Sequence, residues 1–277
     1  MKKDYIPVSE GDSALPEVSF IEDYWTKKWD QRKLTGFLAE YLEKREEYRL
    51  MQPYLAKLPK GSRLLDGGCG LGEWTLYLTA KGYQVTGMDL SQATIQKLQD
   101  KFPGYPFLSG DIRKTDFGDS TFDAYFSWGT FEHFEEGLGK PLQEAWRILK
   151  PGGYLFISVP FQSVRHLLRE RKALWNWDEH FDRKHGYTSK MRFYQWRLTR
   201  SELQRELEIN GFTTLQVTAI HKWQGLKRTL QHDMHLNPRS KSGKTVLRLF
   251  APLIAILAPL VPKSYAAHMI LAVGIKK

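Results

Sequence analysis

The 277-residue sequence has a single cysteine, Cys69. That excludes an internal disulfide framework and a cysteine-rich zinc cluster, and points to a reducing, cytoplasmic setting. No set of His, Cys and Asp has structural-zinc spacing, so no metal is expected. A phosphate-binding G-x-x-x-x-G-K-[ST] loop is absent. The opening Met1-Lys2-Lys3-Asp4-Tyr5-Ile6-Pro7 is charged and leads into no apolar run, so it does not read as a secretory signal. The apolar stretch at 246–262 is broken by Arg248, Pro252 and Pro259, and is too short for a spanning helix. No internal repeat or low-complexity tract is visible.

What is present fits a globular enzyme-sized chain. Hydrophobic residues make up 42% and charged residues 26%, which argues against a disordered or fibrous protein. The length suits one large α/β domain or two small ones. Net charge is +10 and unevenly spread: residues 1–160 hold 20 Lys+Arg against 23 Asp+Glu, and residues 161–277 hold 21 against 8. So basic a second part suggests an anionic partner: a phosphorylated or carboxylated substrate, nucleic acid, or a lipid surface.

Residues 1–20 are turn-rich and read as an arm. Residues 20–58 repeat apolar positions at three and four residues, including Trp25, Trp29, Phe37 and Leu50, and read as helical. From 63 onward short apolar runs alternate with helical patterns. Strands are predicted at 63–66, 82–89, 105–108, 122–128, 154–159, 212–220 and 268–275. Helices are predicted at 74–80, 91–102, 138–149 and 201–210, with Ser91 as an N-cap and Gly211 as a C-terminal stop. This spacing argues for βαβ units and a parallel sheet. Two stretches, at about 161–199 and 221–265, interrupt the rhythm.

The first strand runs into Gly67-Gly68-Cys69-Gly70-Leu71-Gly72 and then a helix. Glycines there permit positive φ and let a ligand touch the backbone, while the helix start offers free N–H groups. Asp89 ends the second strand, 17 residues after Gly72, where a carboxylate can accept from both ribose hydroxyls. Asp111 follows the third strand, where it can accept from an exocyclic amine. Asp66 stands at the loop entrance; it would repel pyrophosphate but could accept from an ammonium group. The set favours a ligand with an adenosine end and an amino-acid end.

These residues resemble the class I S-adenosylmethionine-dependent methyltransferases. Leu64-Leu65-Asp66-Gly67-Gly68-Cys69-Gly70-Leu71-Gly72 looks like their first motif, and Gly87-Met88-Asp89-Leu90-Ser91 like the motif closing the second strand. Asp123-Ala124-Tyr125-Phe126-Ser127, Glu132-His133-Phe134 and Arg147-Ile148-Leu149-Lys150-Pro151-Gly152-Gly153 look like the fourth- and fifth-strand regions. The resemblance is strong over roughly 60–160. It implies a Rossmann-like α/β fold: a seven-stranded, mostly parallel sheet with helices on both faces and an antiparallel last strand. Residues 1–58 would be an N-terminal arm and helical cap, and 59–277 the methyltransferase domain with its two insertions. The implied cofactor is S-adenosyl-L-methionine. Its expected binding residues are Asp66, Gly68, Gly70, Gly72, Asp89, Leu90, Asp111, Ile112 and Ser127.

Methyl transfer needs alignment and a dry pocket, and a general base when the acceptor is a hydroxyl, amine or acidic carbon. His133 and His185 are the candidate bases; a backbone-bonded or surface histidine is the alternative for each. His180, Asp178 and Glu179 share the 161–199 insertion with His185. Trp128 could wall the pocket or pack in the core, and Trp25 and Trp29 could fold a helix over the cofactor or pack likewise. The segment Ser127-Trp128-Gly129-Thr130 lacks the Asn/Asp-Pro-Pro-Tyr pattern of base-amine methylation. The expected acceptor is a small-molecule or lipid-linked, anionic compound. A tRNA or rRNA methyltransferase and a non-catalytic cofactor-binding protein are the alternatives. Residues 222–262 join cations to an apolar stretch, which suits either an anionic lipid interface or a buried hairpin.

Overall fold

The structure, a computed structural model, describes residues 1–172, 181–182, 186–187, 190–233, 245, 249, 252 and 258–277. In chain order the elements are β1 (Lys2–Val8), α1 (Glu10–Ala14), α2 (Glu17–Asp30), α3 (Ala39–Lys44), α4 (Glu46–Leu55), β2 (Arg63–Gly67), α5 (Glu73–Ala80), β3 (Gln84–Asp89), α6 (Gln92–Lys101), β4 (Phe107–Ser109) and β5 (Phe122–Trp128). There follow α7 (Gly139–Ile148), β6 (Leu149–Pro160), α8 (Val164–Lys172), β7 (Phe181–Asp182), β8 (Gly186–Tyr187), β9 (Lys190–Arg197), α9 (Arg200–Ile209), β10 (Phe212–Ile220), α10 (Lys222–Asp233), α11 (Lys263–Ala266) and β11 (Met269–Lys276).

Seven strands form one sheet in the order β10-β11-β6-β5-β2-β3-β4. They are the seven expected from the sequence. β2, β3, β4, β5 and β6 pair in parallel, and β11 runs antiparallel to both its neighbours. The alternation of strand side chains divides the core between two faces. Leu65, Tyr125, Leu155 and Ile157 pack toward α7 and α9. Leu64, Phe126, Phe156 and Val273 pack toward α4 and α5. Leu64 and Leu65 are both fully buried, so truncating either to Ala would cost roughly 2–5 kcal/mol.

Local signals hold where chemistry is local. The Ser91 side chain accepts from the Thr94 amide and caps α6. Thr199 and Glu202 form a reciprocal capping box on α9, and Gly211, at φ +88°, ends it.

The first 20 residues are more than an arm. β1 pairs antiparallel with β9, which lies inside the 161–199 interruption. Asp4 binds Arg197 and Gln195, and the amino terminus of Met1 pairs with Glu202. The predicted helical region 20–58 divides into α2, α3 and α4, with an extended break between α2 and α3.

Candidate active site

The glycine loop is built by backbone conformation. Gly68 and Gly70 have φ of +79° and +52°, where a side chain is strained. Space forbids one as well. A Cβ on Gly68 would stand 2.1 Å from Thr130 Oγ1, and one on Gly70 would stand 2.8 Å from Trp29 Cζ2. The loop is tied to β3 twice over. The amides of Gly68 and Cys69 both donate to the Met88 carbonyl, at 2.7 and 2.9 Å. The Gly70 amide donates to Asp89 Oδ2 at 2.9 Å, and the Ser91 amide to Asp89 Oδ1 at 3.0 Å.

A cavity of about 270 Å³ opens beside this loop. Four carboxylates border it: Asp66, Glu73, Asp89 and Asp111. Asp66 is buried, and Thr75 Oγ1 donates to its Oδ2 at 2.8 Å. Burial, with a smaller contribution from nearby Asp89, pushes the Asp66 carboxyl up to about 7. Burial also raises Asp89, against the backbone hydrogen bonds from Ser91 and Gly70. Asp111 is gripped by the guanidinium of Arg113 at 2.8–3.1 Å. The same guanidinium reaches Glu17 at 2.7 Å and so anchors the start of α2 beside the cavity.

α2 covers the cavity with Ile21, Trp25 and Trp29. Trp25 and Trp29, four residues apart, stack with centroids 5.3 Å apart. Trp74 and Trp128 line the cavity too, 6.0 Å from each other. Two further ties hold α2: Thr26 Oγ1 to Ser91 Oγ at 2.6 Å, and Lys97 to Asp30.

His133 ends a single helical turn, Phe131–His133, directly after β5, and lines the cavity. Its Nδ1 lies 2.7 Å from the Tyr194 carbonyl. Only a protonated Nδ1 can bond a carbonyl, so Nε2 carries the lone pair in the neutral ring. Burial lowers its pKa to about 4, which keeps it neutral near pH 7. The Trp25 ring meets it edge-on at 5.1 Å.

Of the residues predicted from sequence, Asp66, Gly68, Gly70, Asp89, Leu90, Asp111, Ile112 and His133 are brought to the cavity wall. Gly72 and Ser127 stand behind it. Gly72 packs on the Phe107 ring as the N-cap of α5, and Ser127 Oγ donates to the Gly67 carbonyl at 2.6 Å. His185, and with it His180, Asp178 and Glu179, lies outside the described residues. Sequence reading missed Ile21, Arg32, Arg45, Glu73 and Arg113. Only Arg113 carried a signal, being two residues from Asp111. Among the described residues no group of His, Cys, Asp and Glu could hold a metal.

A parallel sheet with a glycine loop at the ends of its central strands, and acids closing the next two, defines a nucleotide-binding Rossmann-like domain. Residues 65–157 match the family of the methyltransferase domain. The chain is 33% identical over 113 residues to malonyl-[acyl-carrier protein] O-methyltransferase of Erwinia pyrifoliae, covering 41% of this chain and 42% of that protein. It is 35% identical over 112 residues to a phthiotriol/phenolphthiotriol dimycocerosates methyltransferase of Mycobacterium tuberculosis, covering 38% of each. The match thus spans less than half the length of these curated relatives. The fold resembles that of the 1,6-didemethyltoxoflavin-N1-methyltransferase of Burkholderia thailandensis, with TM-score 0.56, 17% identity and coverage of 100% of this chain and 96% of that one. The chain carries a class I S-adenosylmethionine-dependent methyltransferase domain, and its cofactor is S-adenosylmethionine.

The site suits that cofactor on its own chemistry. Four acids and four tryptophans border one cavity and favour a cation, outnumbering the two lining guanidiniums of Arg32 and Arg45. The glycine loop leaves open the space that side chains would fill.

Proposed function

We propose that the protein transfers a methyl group from S-adenosylmethionine to a small-molecule or lipid-linked acceptor. The observation that carries this is the convergence of Asp66, Asp89 and Asp111 with the glycine loop on one aromatic-walled cavity. The bound cofactor supplies an electrophilic methyl already activated by its sulfonium. The chain's own residues hold, align and dry.

Gly68 and Gly70 give close backbone approach. Asp89 keeps lone pairs free on both oxygens beyond its two amide bonds, enough for two ribose hydroxyls. Asp111, held by Arg113, would accept from the adenine amine, and Leu90 and Ile112 would pack the ring. Asp66 takes the ammonium of the methionine part. Gly72 and Ser127 fix the loop from behind. Trp25 and Trp29 shut out water, and alignment in such a pocket is worth roughly 7–11 kcal/mol. His133 is neutral and its Nε2 can accept a proton from an acceptor hydroxyl, amine or acidic carbon. The names of the two curated relatives, one acting on a carrier-bound malonyl group and one on dimycocerosates, support an acceptor of this class. A cytoplasmic setting with peripheral contact on the inner membrane face accords with the lone Cys69 and the basic second part.

Incubating the protein with methyl-labelled cofactor and cell extract tests this. Label should enter the lipid or small-molecule fraction. Label in RNA would move the assignment to an RNA methyltransferase. Tight cofactor binding without any labelled product would make it a non-catalytic binding protein.

A further inference from the structure

α8 reverses the usual order of a surface helix. Arg165 is turned inward at 8% exposure, while Val164, Leu167 and Leu168 are 43%, 45% and 48% exposed. These three stand at positions i, i+3 and i+4, so they form one outward apolar stripe. Neighbouring segments extend it. Trp223 on α10 is 52% exposed, and Leu260, just before α11, is 79% exposed. Within the 246–262 stretch, Leu249, Pro252, Pro259 and Leu260 are exposed.

The segments form a fixed platform. α10 and α11 meet backbone to backbone: a Cβ on Gly225 would lie 1.7 Å from the Ala266 carbonyl oxygen. Lys263 of α11 is paired with Glu46. Lys222, Lys227 and Arg228 of α10 have no carboxylate partner among the described residues. Residues 221–263 contain eight Lys+Arg against Asp233 alone.

Topology sets this platform at the end of the sheet where the cavity opens. Met269 pairs with both Pro160 and Ile220, and Ser158 with Trp128 of the cavity wall. α8 and α10 leave from those same strand ends, and α11 enters there.

We propose that this face, made by α8, α10 and α11, docks on an anionic phospholipid surface. Its apolar side chains enter the interface, and its cations, which have no carboxylate partner among the described residues, meet the lipid phosphates. An acidic protein partner would use the cations but leave the apolar stripe in water. Docking here would bring the cavity mouth to the lipid, where a lipid-linked acceptor resides. The adsorption itself depends on neither the acceptor nor catalysis, so it can fail while the methyl-transfer assignment stands.

The test uses the full chain with vesicles of phosphatidylcholine alone or mixed with phosphatidylglycerol, read by co-sedimentation. Binding to the mixed vesicles only, weakened by salt, is expected. Each cation near an anionic leaflet contributes about fivefold to partitioning, so Lys222→Glu with Lys227→Glu should weaken it more than tenfold. Leu167→Glu with Leu168→Glu should do the same by a separate route. Thermal midpoint and cofactor affinity serve as controls, and should be unchanged in both variants. Failure of the intact chain to adsorb, or unchanged adsorption by folded variants, overturns the proposal. So does a concentration-dependent dimer that the leucine variants dissociate, since the face would then bind a second copy.

Discussion

The backbone amide of Gly70 donates to Oδ2 of Asp89 at 2.9 Å, so the glycine loop and the acid that closes β3 are one unit. Neither can move without the other. Gly70 is also constrained from outside, because Trp29 of α2 occupies the space a side chain would need.

Gly70→Ala therefore disturbs three things at once: a φ of +52°, the bond to Asp89, and the seat of Trp29. Strain of this kind costs of order 1–3 kcal/mol. Cofactor affinity should fall by about tenfold or more, measured by calorimetry, with the far-ultraviolet dichroism kept.

The Asp66 carboxyl, at about 7, is the site's pH-sensitive element. Its folded value lies above its unfolded one, so the folded state holds the extra proton. Stability from this group is thus present at low pH and declines as pH rises from the unfolded value toward about 7. The cofactor's ammonium favours the charged carboxylate. Cofactor affinity should rise as pH passes upward through about 7, and binding near neutrality should release a proton. Calorimetry in buffers of different ionisation enthalpy reads that proton. Asp66→Asn should abolish the pH dependence.

His133 behaves oppositely. Its folded value, about 4, lies below the unfolded one, so its contribution to stability is lost as pH falls toward about 4. As a base it stays unprotonated across the working range, so kcat should show no acid limb from His133 between about pH 5 and pH 8. His133→Ala should lower kcat by about a hundredfold while cofactor affinity changes little. An unchanged kcat would leave His133 a packing residue bonded to the Tyr194 carbonyl.

Much of the sheet was legible because its signals are local. Short apolar runs between glycines and caps mark β2 through β6, β10 and β11, and Ser91 and Gly211 mark helix ends without reference to anything distant. The pairing of β1 with β9 was not legible. Lys2–Val8 mixes charge with Pro7, and its partner lies about 190 positions away in an Arg- and aromatic-rich stretch. The cover over the cavity was half legible. Trp25 and Trp29 share a helix face, but it is the tertiary ties of α2, Arg113 to Glu17, Ser91 to Thr26 and Lys97 to Asp30, that set that face over the cavity rather than in the core. The same holds for His133, whose partner carbonyl is 61 residues downstream.

Breaking the first of those ties gives a further test. Glu17→Ala removes the bond to the largely buried Arg113 guanidinium and the bond from the Glu135 amide, and should destabilise by about 1–3 kcal/mol. Proteolysis within residues 17–30 should become faster, and bound cofactor should restore protection by holding α2 down. Equal cleavage rates in both forms would show that α2 is fixed by other contacts.

The most direct measurement is titration calorimetry of S-adenosylmethionine into the full chain and its Asp89→Ala variant. The glycine-loop cradle predicts saturable binding to the native chain. It predicts a loss of about tenfold to a hundredfold in the variant, the range for a charge-assisted hydrogen bond. No saturable binding by the native chain, or equal affinity in the two, would contradict it.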